Sequence, residues 1–262
     1  MIIKCGKKDI EKIFEYIDED YGKCLYLYID LIKYGLKNEN FKIWIQYTDE
    51  NEICALISEY YNGIQLYSKS YDLIGEEIAI FLKEKNPTGI SGMKKSIDEI
   101  REFLPEFEEE IGGVGELIEL KYPPNPNAYS APMDELDEIA KVVSEDENIG
   151  KPYGYDSLYK QFCERKKDKF GRNFILRDEK TNEIICHAAT YAELPNLGII
   201  SGVLTPLKYR GKGYSKETLA ALCAELKSEG KEIFSYFYIP PAIKMHYGIG
   251  FEKIGDWAKL TK

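Results

Sequence analysis

The chain is poor in the residues that most often build metal and disulfide sites. It has two histidines in 262 residues, and its six cysteines, at positions 5, 24, 54, 163, 186 and 223, form no CxxC pair. Most of these cysteines lie within apolar segments, as expected for reduced, buried small hydrophobic residues. The sequence therefore predicts no disulfide framework and no zinc or histidine-based metal site.

Long apolar runs and a net positive charge are also missing. No run of about 18 apolar residues occurs, and the charged N-terminal segment lacks the apolar centre of a secretory signal. We therefore expect a cytoplasmic protein with no membrane partner. The formal net charge is -10 and the pI is near 5.0. This acidic balance argues against a nucleic-acid-binding protein and favours cationic ligands.

A predicted strand and a predicted helix flank one basic, glycine-containing loop. Residues 197–205 (LGIISGVLT) are short, apolar and rich in β-branched side chains, which is typical of a buried strand. Further along, an i, i+3, i+4, i+7 spacing predicts a helix that ends at Gly230. The apolar face of that helix consists of Leu219, Leu222, Cys223 and Leu226.

The loop between these elements has the features of an anion site. A helix N-terminus presents unpaired N–H groups and a positive dipole, and glycines allow the backbone to approach a ligand closely. By itself RGKG is equally compatible with a basic surface turn, because short glycine motifs often match by chance. Its position between a strand and a helix favours a phosphate site. The loop residues are Arg210, Gly211, Lys212, Gly213, Tyr214 and Ser215.

This strand, loop and helix resemble the acyl-CoA pyrophosphate site of the GNAT superfamily of N-acetyltransferases, whose loop reads R-x-x-G-x-G/A. Ser215 stands where the family usually has Gly or Ala. The segment TPLKYRGKGY is similar to the FR47-like branch, typified by glycine N-acyltransferases. Gly250 and Phe251 match the G-F pair that follows a short helix in the family. The resemblance covers about residues 130–262.

The resemblance implies an α/β (α+β) fold, a mixed, mostly antiparallel sheet flanked by helices, with acetyl-CoA as cosubstrate and no metal. It implies that the loop N–H groups hold the diphosphate, and that the strand edge at Val203, Leu204 and Thr205 pairs with pantetheine. Gly202 in that strand predicts a bulge after which strand pairing splays. The alternative is that Gly202 only relieves crowding against the adjacent helix.

The chain length allows one large domain or two smaller ones, and the sequence favours two. A proline- and asparagine-rich segment predicts a linker at 123–131, between domains at 1–122 and 132–262. The predicted elements follow a similar order in both halves, but residues 68–75 (SKSYDLIG) replace the glycine loop in the first half. We predict a tandem of a degenerate GNAT-like domain and a catalytic one. A cap without common ancestry is the alternative for the first half.

Acyl transfer needs an acid for the departing thiolate and a base for the amine. The family places a tyrosine four residues before its G-F glycine, where this chain has His246, followed by Tyr247. The family's asparagine, seven residues earlier, is replaced by Ile239. His246 is either the acid or a packing histidine. The candidates for the base are weak, and water-mediated deprotonation is an alternative to them: Glu193, Tyr191, His187 and Ser201.

These features predict an N-acyltransferase that passes acetyl from acetyl-CoA to the primary amine of a small or amino-acid-like acceptor. The resemblance implies direct attack in a ternary complex, by a monomer or homodimer. The missing tyrosine and asparagine equivalents also suit a second hypothesis. In that hypothesis the protein is a non-catalytic acyl-CoA sensor or regulatory subunit on the same scaffold.

Overall fold

In the computed structural model, which describes residues 1–147 and 149–262, the C-terminal strand joins the first half of the sequence. One unit consists of Met1–Val114 with Lys253–Lys262, and the other of Gly115–Glu252. Strand β12 (Phe251–Thr261) pairs antiparallel with β5 (Gly89–Met93), which places the end of the chain in the first unit. The observed division thus differs from the predicted domains at 1–122 and 132–262.

The first unit has strands β1 (Ile2–Lys4), β2 (Phe41–Tyr47), β3 (Ile53–Tyr60), β4 (Gly63–Tyr67) and β5, and helices α1 (Ile10–Ile17), α2 (Leu25–Tyr34), α3 (Gly75–Lys85) and α4 (Lys94–Arg101). Strands β1 to β4 pair antiparallel in sequence order. Strand β4 then pairs parallel with β5, which pairs antiparallel with β12.

Helices cover both faces of this first sheet, which explains its almost continuously apolar strands. In β2, Ile43 and Ile45 pack with Leu27 of α2, while Trp44 packs on the opposite face with Ile78 of α3. Such alternation is the period of two expected for a strand. None of the helices in the described ranges is long and apolar enough to cross a membrane.

The second unit repeats this topology. Its elements are β7 (Tyr129–Ser130), α5 (Leu136–Ser144), α6 (Tyr155–Lys167), β8 (Asn173–Arg177), β9 (Ile184–Glu193), β10 (Leu197–Leu204), α7 (Tyr214–Ser228), β11 (Glu232–Phe237) and α8 (Pro240–Ile249). Strands β7 to β10 pair antiparallel in order, and β10 pairs parallel with β11. Strand β6 (Glu108–Leu117) contains the division between the units. The predicted fold class, a mixed and mostly antiparallel sheet flanked by helices in each half, is confirmed.

The segment predicted as a linker, 123–131, differs from that expectation. It contains β7, and Tyr129 and Ser130 pair with Ile175 and Phe174 of β8. The buried Ala131 continues this contact, since its N–H donates to the carbonyl of Asn173 at 2.8 Å. Prolines and asparagines suit this position because a two-residue edge strand needs few backbone donors. The segment is therefore part of the second unit.

Candidate functional site

A β-bulge interrupts β10 where the sequence predicted one. Ser201 pairs with Ala189 and Leu204 with His187, so that Gly202 and Val203 together face a single residue of β9. Gly202 has a φ of 58°, in the left-handed region that favours glycine. The predicted bulge is confirmed, and it turns the backbone of residues 202–203 out of the regular ladder.

The two parallel strands beside the bulge separate at their carboxyl ends. Their Cα register runs from Leu197 opposite Glu232 to Ile200 opposite Ser235. Strand β10 nevertheless continues to Leu204 and β11 to Phe237. The backbone of 203–205 thus lies beyond the parallel ladder, where an extended ligand can pair with it. The side chain of Leu204 is buried in the core, so only its backbone can serve a ligand.

The loop after β10 leads into α7 through two left-handed glycines. Gly211 has a φ of 82° and Gly213, at the N-cap of α7, a φ of 90°. No side chain caps the start of α7 in the part of the chain that the structure describes. The N–H groups of its first turn and its positive dipole end therefore face the loop, as an anion site requires.

Two aromatic residues and one arginine fix the conformation of this loop. Tyr214, the first residue of α7, packs with Tyr209 on a cluster formed by Leu176, Ile185 and Cys186. Arg210 donates from Nε to the carbonyl of Thr205 at 3.0 Å and from Nη2 to Asp146 at 3.0 Å. The side chain of Arg210 is 52% exposed. It thus ties the end of β10 to the loop while its charge remains close to solvent.

Three lysines supply the remaining positive charge near α7. Lys208 is held by Glu183 at 2.8 Å, so its charge is already compensated. The ammonium groups of Lys212 and Lys216 lie 5.9 Å and 5.6 Å from the ring centres of Tyr209 and Tyr122. Lys212 and Lys216 are therefore the cations best placed to meet an anion at the helix start, and Arg210 can join them only by sharing its charge with Asp146.

The sequence reasoning missed Tyr122 and Asn125, which lie against the first turn of α7. A Cβ placed on Gly213 would be 3.8 Å from the hydroxyl of Tyr122. Asn125 donates from Nδ2 to Glu217 at 2.7 Å. Because a proline-rich sequence carries no periodicity that indicates its packing partner, the pattern alone could not place this segment beside the loop.

His246 is a buried residue of α8, with 4% of its surface exposed. Its Nδ1 lies 2.8 Å from the carbonyl of Ala242, which can only accept, so Nδ1 carries the proton and Nε2 accepts from the Ser235 hydroxyl at 2.8 Å. Burial lowers the pKa of His246 to about 4. A neutral ring with its single proton bound to the helix backbone has none to donate at neutral pH. The geometry favours the packing histidine over the predicted acid.

Tyr247, by contrast, is 43% exposed on the same helix. Its ring meets Phe237 of β11 edge-on, with centres 5.6 Å apart. The next residue, Gly248, lies against the start of α7, since a Cβ there would be 2.6 Å from Nζ of Lys216. The ring of Tyr247 therefore lies at the end of β11, on a helix whose next residue approaches the first turn of α7.

The predicted bases are held by structural contacts or have a lowered pKa, and none of them is placed to take a proton from an amine. Glu193 binds Arg172 and Lys231, each at 2.6 Å; burial opposes its ionised form, but these hydrogen bonds lower its pKa. Burial lowers the pKa of His187 to about 4. Tyr191 stacks under Arg165 at 4.9 Å, and Ser201 is half-buried in β10.

The ion pairs of Glu193 predict a large effect on stability. Arg172 also binds Glu225 and Glu229, and its side chain is 16% exposed against 4% for Glu193. We expect Arg172→Ala to lower the free energy of unfolding by about 3–5 kcal/mol, because it leaves a buried carboxylate without its main partner. Lys160→Ala, which removes an exposed pair, should cost less than about 1 kcal/mol. Urea denaturation measures both, and equal losses would contradict the assignment.

A scan against protein-family models and a search of curated proteins find no match to this sequence. Solved structures do match its fold. A GCN5-related N-acetyltransferase from Sphaerobacter thermophilus is 13% identical with a TM-score of 0.71, covering 100% of this chain and 95% of its own. A GNAT-family acetyltransferase from Colwellia psychrerythraea is 10% identical with a TM-score of 0.62, covering 100% and 99%. A tandem GNAT protein from the clavulanic acid biosynthesis pathway is 9% identical with a TM-score of 0.61, covering 100% and 98%. The chain therefore has the fold of the GNAT acetyltransferases.

Proposed function

We propose that the protein is an acyl-CoA-dependent N-acyltransferase that transfers acetyl from acetyl-CoA to the primary amine of a small molecule. One observation carries the proposal: the uncapped N-terminus of α7 follows a loop with two left-handed glycines and directly adjoins the diverging strands β10 and β11. A diphosphate fits the first feature and an extended pantetheine arm the second. The acetyltransferases with this fold support the same assignment.

Each part of the cosubstrate has a matching group in the proposed complex. The N–H groups of residues 211–215 hold the diphosphate, assisted by the charges of Arg210 and Lys212. The backbone at Val203 and Thr205 pairs with the amides of pantetheine, in the manner of an added strand. Tyr122, beside Gly213, forms one wall of the nucleotide end of the site.

The chemistry then needs few side chains. The neutral amine attacks the thioester carbon, and the carbonyl π electrons move to oxygen, where the Val203 N–H stabilises the charge. When the carbonyl reforms, the C–S bond breaks and the thiolate leaves, taking a proton from the hydroxyl of Tyr247. The attacking nitrogen loses its extra proton to water, and the Tyr247 phenolate regains a proton from water. Glu193 and His187 are committed to structural contacts. We therefore assign deprotonation of the amine to water.

The net charge of -10 favours a cationic amine as acceptor. We propose that the first unit, which repeats the topology without the glycine loop, is the degenerate member of a tandem and selects the acceptor. Where β10 leads into its loop and α7, β4 leads into SKSYDLIG at 68–75 and α3. The absence of paired glycines and the presence of Asp72 make that segment a poor phosphate site. We further propose a cytoplasmic monomer or homodimer of FR47-like type.

A single phosphate site per chain predicts the stoichiometry. We expect isothermal titration to give one acetyl-CoA per chain, because among the helices of residues 1–147 and 149–262 only α7 begins behind a loop with two left-handed glycines. A desulfo-CoA titration provides the control, since it keeps the diphosphate and should give the same number. Two equivalent sites would contradict the assignment of the first unit as degenerate.

Release of free CoA thiol tests the activity itself. We expect wild-type protein to release thiol from acetyl-CoA when polyamines, amino acids or aminoglycosides are added as acceptors, with mass spectrometry identifying the acetylated amine. Binding of acetyl-CoA without release across this panel would support the sensor hypothesis. Failure to bind acetyl-CoA would contradict both the acyltransferase proposal and the sensor hypothesis.

A further inference from the structure

The carbonyl of the bulged Gly202 has an unusual partner, the side chain of His187. Nδ1 of His187 lies 2.8 Å from this oxygen. Its ring is 1% exposed, and its centre is 5.9 Å from that of Phe162. On the far side, Nε2 lies 2.9 Å from Oδ1 of Asn173. The imidazole is thus fixed from three directions, with one edge against the bulge.

The protonation state of His187 follows from these contacts. Burial lowers its pKa to about 4, so the ring is neutral at pH 7 and carries one N–H. Both polar neighbours of the ring, the Gly202 carbonyl and Oδ1 of Asn173, are acceptors, so the single proton can serve only one of them. The backbone carbonyl cannot turn without moving the strand, whereas a 180° rotation of the Asn173 amide brings its NH2 group to Nε2. We therefore assign the proton to Nδ1, which donates it to Gly202, with Nε2 accepting from the rotated Asn173 amide.

Holding the carbonyl of Gly202 also sets the direction of the next N–H. A trans peptide is planar, so the carbonyl of residue 202 and the N–H of residue 203 point in opposite directions. With the carbonyl directed at His187, the N–H of Val203 points away from it. In a bulge this peptide lacks the ladder contacts that would otherwise orient it, so the hydrogen bond from His187 fixes its direction.

We propose that His187 is a positioning residue for the acyl-transfer step. It holds the Gly202 carbonyl so that the Val203 N–H is aimed at the thioester oxygen, where charge develops during attack. This inference rests on the proposed acyltransferase function. It predicts that loss of the His187 donor lowers the rate of chemistry while acetyl-CoA binding is retained, because the diphosphate loop lies elsewhere in the unit.

Infrared difference spectroscopy with acetyl-CoA labelled with 13C at the carbonyl tests this without knowledge of the acceptor. A hydrogen bond from Val203 polarises the thioester and should shift its carbonyl stretch to lower wavenumber than in free acetyl-CoA. His187→Phe keeps the ring volume and removes the donor, so the shift should be lost while affinity stays within about threefold. His187→Asn should restore most of the shift, because Asn Nδ2 occupies the place of His Nδ1.

With an acceptor available, we expect kcat to fall about 10–100-fold in His187→Phe with KM for acetyl-CoA little changed.

Thr190→Val is the matched control. It removes buried side-chain hydrogen bonds from the same strand, β9, but the Thr190 hydroxyl bonds to Arg172 and Glu193 and, among the described residues, not to the bulge. Its carbonyl shift should equal that of wild type. Separately, 15N spectra of histidine-labelled wild type should show His187 as the Nδ1–H tautomer with slow exchange, a result that needs no variant to fold.

The outcomes separate the two proposals. If wild type does not bind acetyl-CoA, the acyltransferase proposal fails, and this inference fails with it. If it binds and shifts the carbonyl stretch equally in wild type and His187→Phe, only the role of His187 is overturned. An Nε2–H tautomer would overturn it as well.

Discussion

Gly213→Asp is expected to weaken acetyl-CoA binding by at least about tenfold, or ~1.4 kcal/mol or more. Gly213 is the N-cap of α7, and the N–H groups that follow it have no side-chain cap among the residues described. An aspartate there would place a negative charge, and its own competing acceptor oxygens, where the diphosphate should bind. Titration calorimetry with acetyl-CoA measures the change directly.

Gly213→Asn is the matched control for this experiment. Gly213 has a φ of 90°, so any side chain at this position strains the backbone, and asparagine tolerates left-handed conformations better than most residues. It has the shape of aspartate without the charge, so the difference between the two variants isolates electrostatics. We expect Asn to lose clearly less affinity than Asp. Unchanged affinity in Gly213→Asp would remove the loop from the binding site.

Much of the second unit could be predicted because its strands are apolar and its turns are marked by glycine or polar residues. The predicted strand at 197–205 exceeds β10 by one residue. The bulge at Gly202 was predictable as well, since glycine inside a β-branched run commonly marks one. Local chemistry thus determined these elements.

The features that could not be predicted depend on contacts between segments far apart in the sequence. The sequence assigned 251–262 to the second domain by proximity, whereas Trp257 pairs with Met93 of the first unit. Nothing in a single strand's pattern tells which sheet edge it will join, because a period of two is shared by all strands. The same limit hid the contact of Tyr122 with the α7 loop.

The remaining difference between prediction and structure concerns the two histidines, because the sequence does not show which way their side chains face. Position alone made His246 a candidate acid, and only the fold shows its Nε2 turned to Ser235 and its surface buried. His187 was one of several weak candidates for a base, and its contact with Gly202 depends on a bulge in the neighbouring strand. Chemical roles that depend on pairing between strands cannot be inferred from spacing within one of them.

The largest kinetic effect is expected at Tyr247. If its exposed hydroxyl protonates the departing thiolate, Tyr247→Phe should lower kcat by about 10²–10⁴ with little change in acetyl-CoA affinity. The variant keeps the ring that packs on Phe237, so the helix should stay in place. His246→Phe is the paired variant. It removes the bond to Ser235 and should cost about 1–3 kcal/mol of stability, with kcat changed only a few-fold.

The dependence of kcat on pH distinguishes the two residues further. An imidazolium acid with the pKa of His246, about 4, loses its proton as pH rises through 4, so only about one molecule in 10³ would carry it at pH 7. We therefore expect kcat in wild type not to fall as pH rises through 4, and this part of the profile to be the same in His246→Phe. If His246→Phe is instead the crippled variant, the buried imidazole takes part through Ser235 at the point where β10 and β11 separate. If neither variant loses activity, the thiolate departs unassisted, as its conjugate acid's pKa of about 8.5 allows.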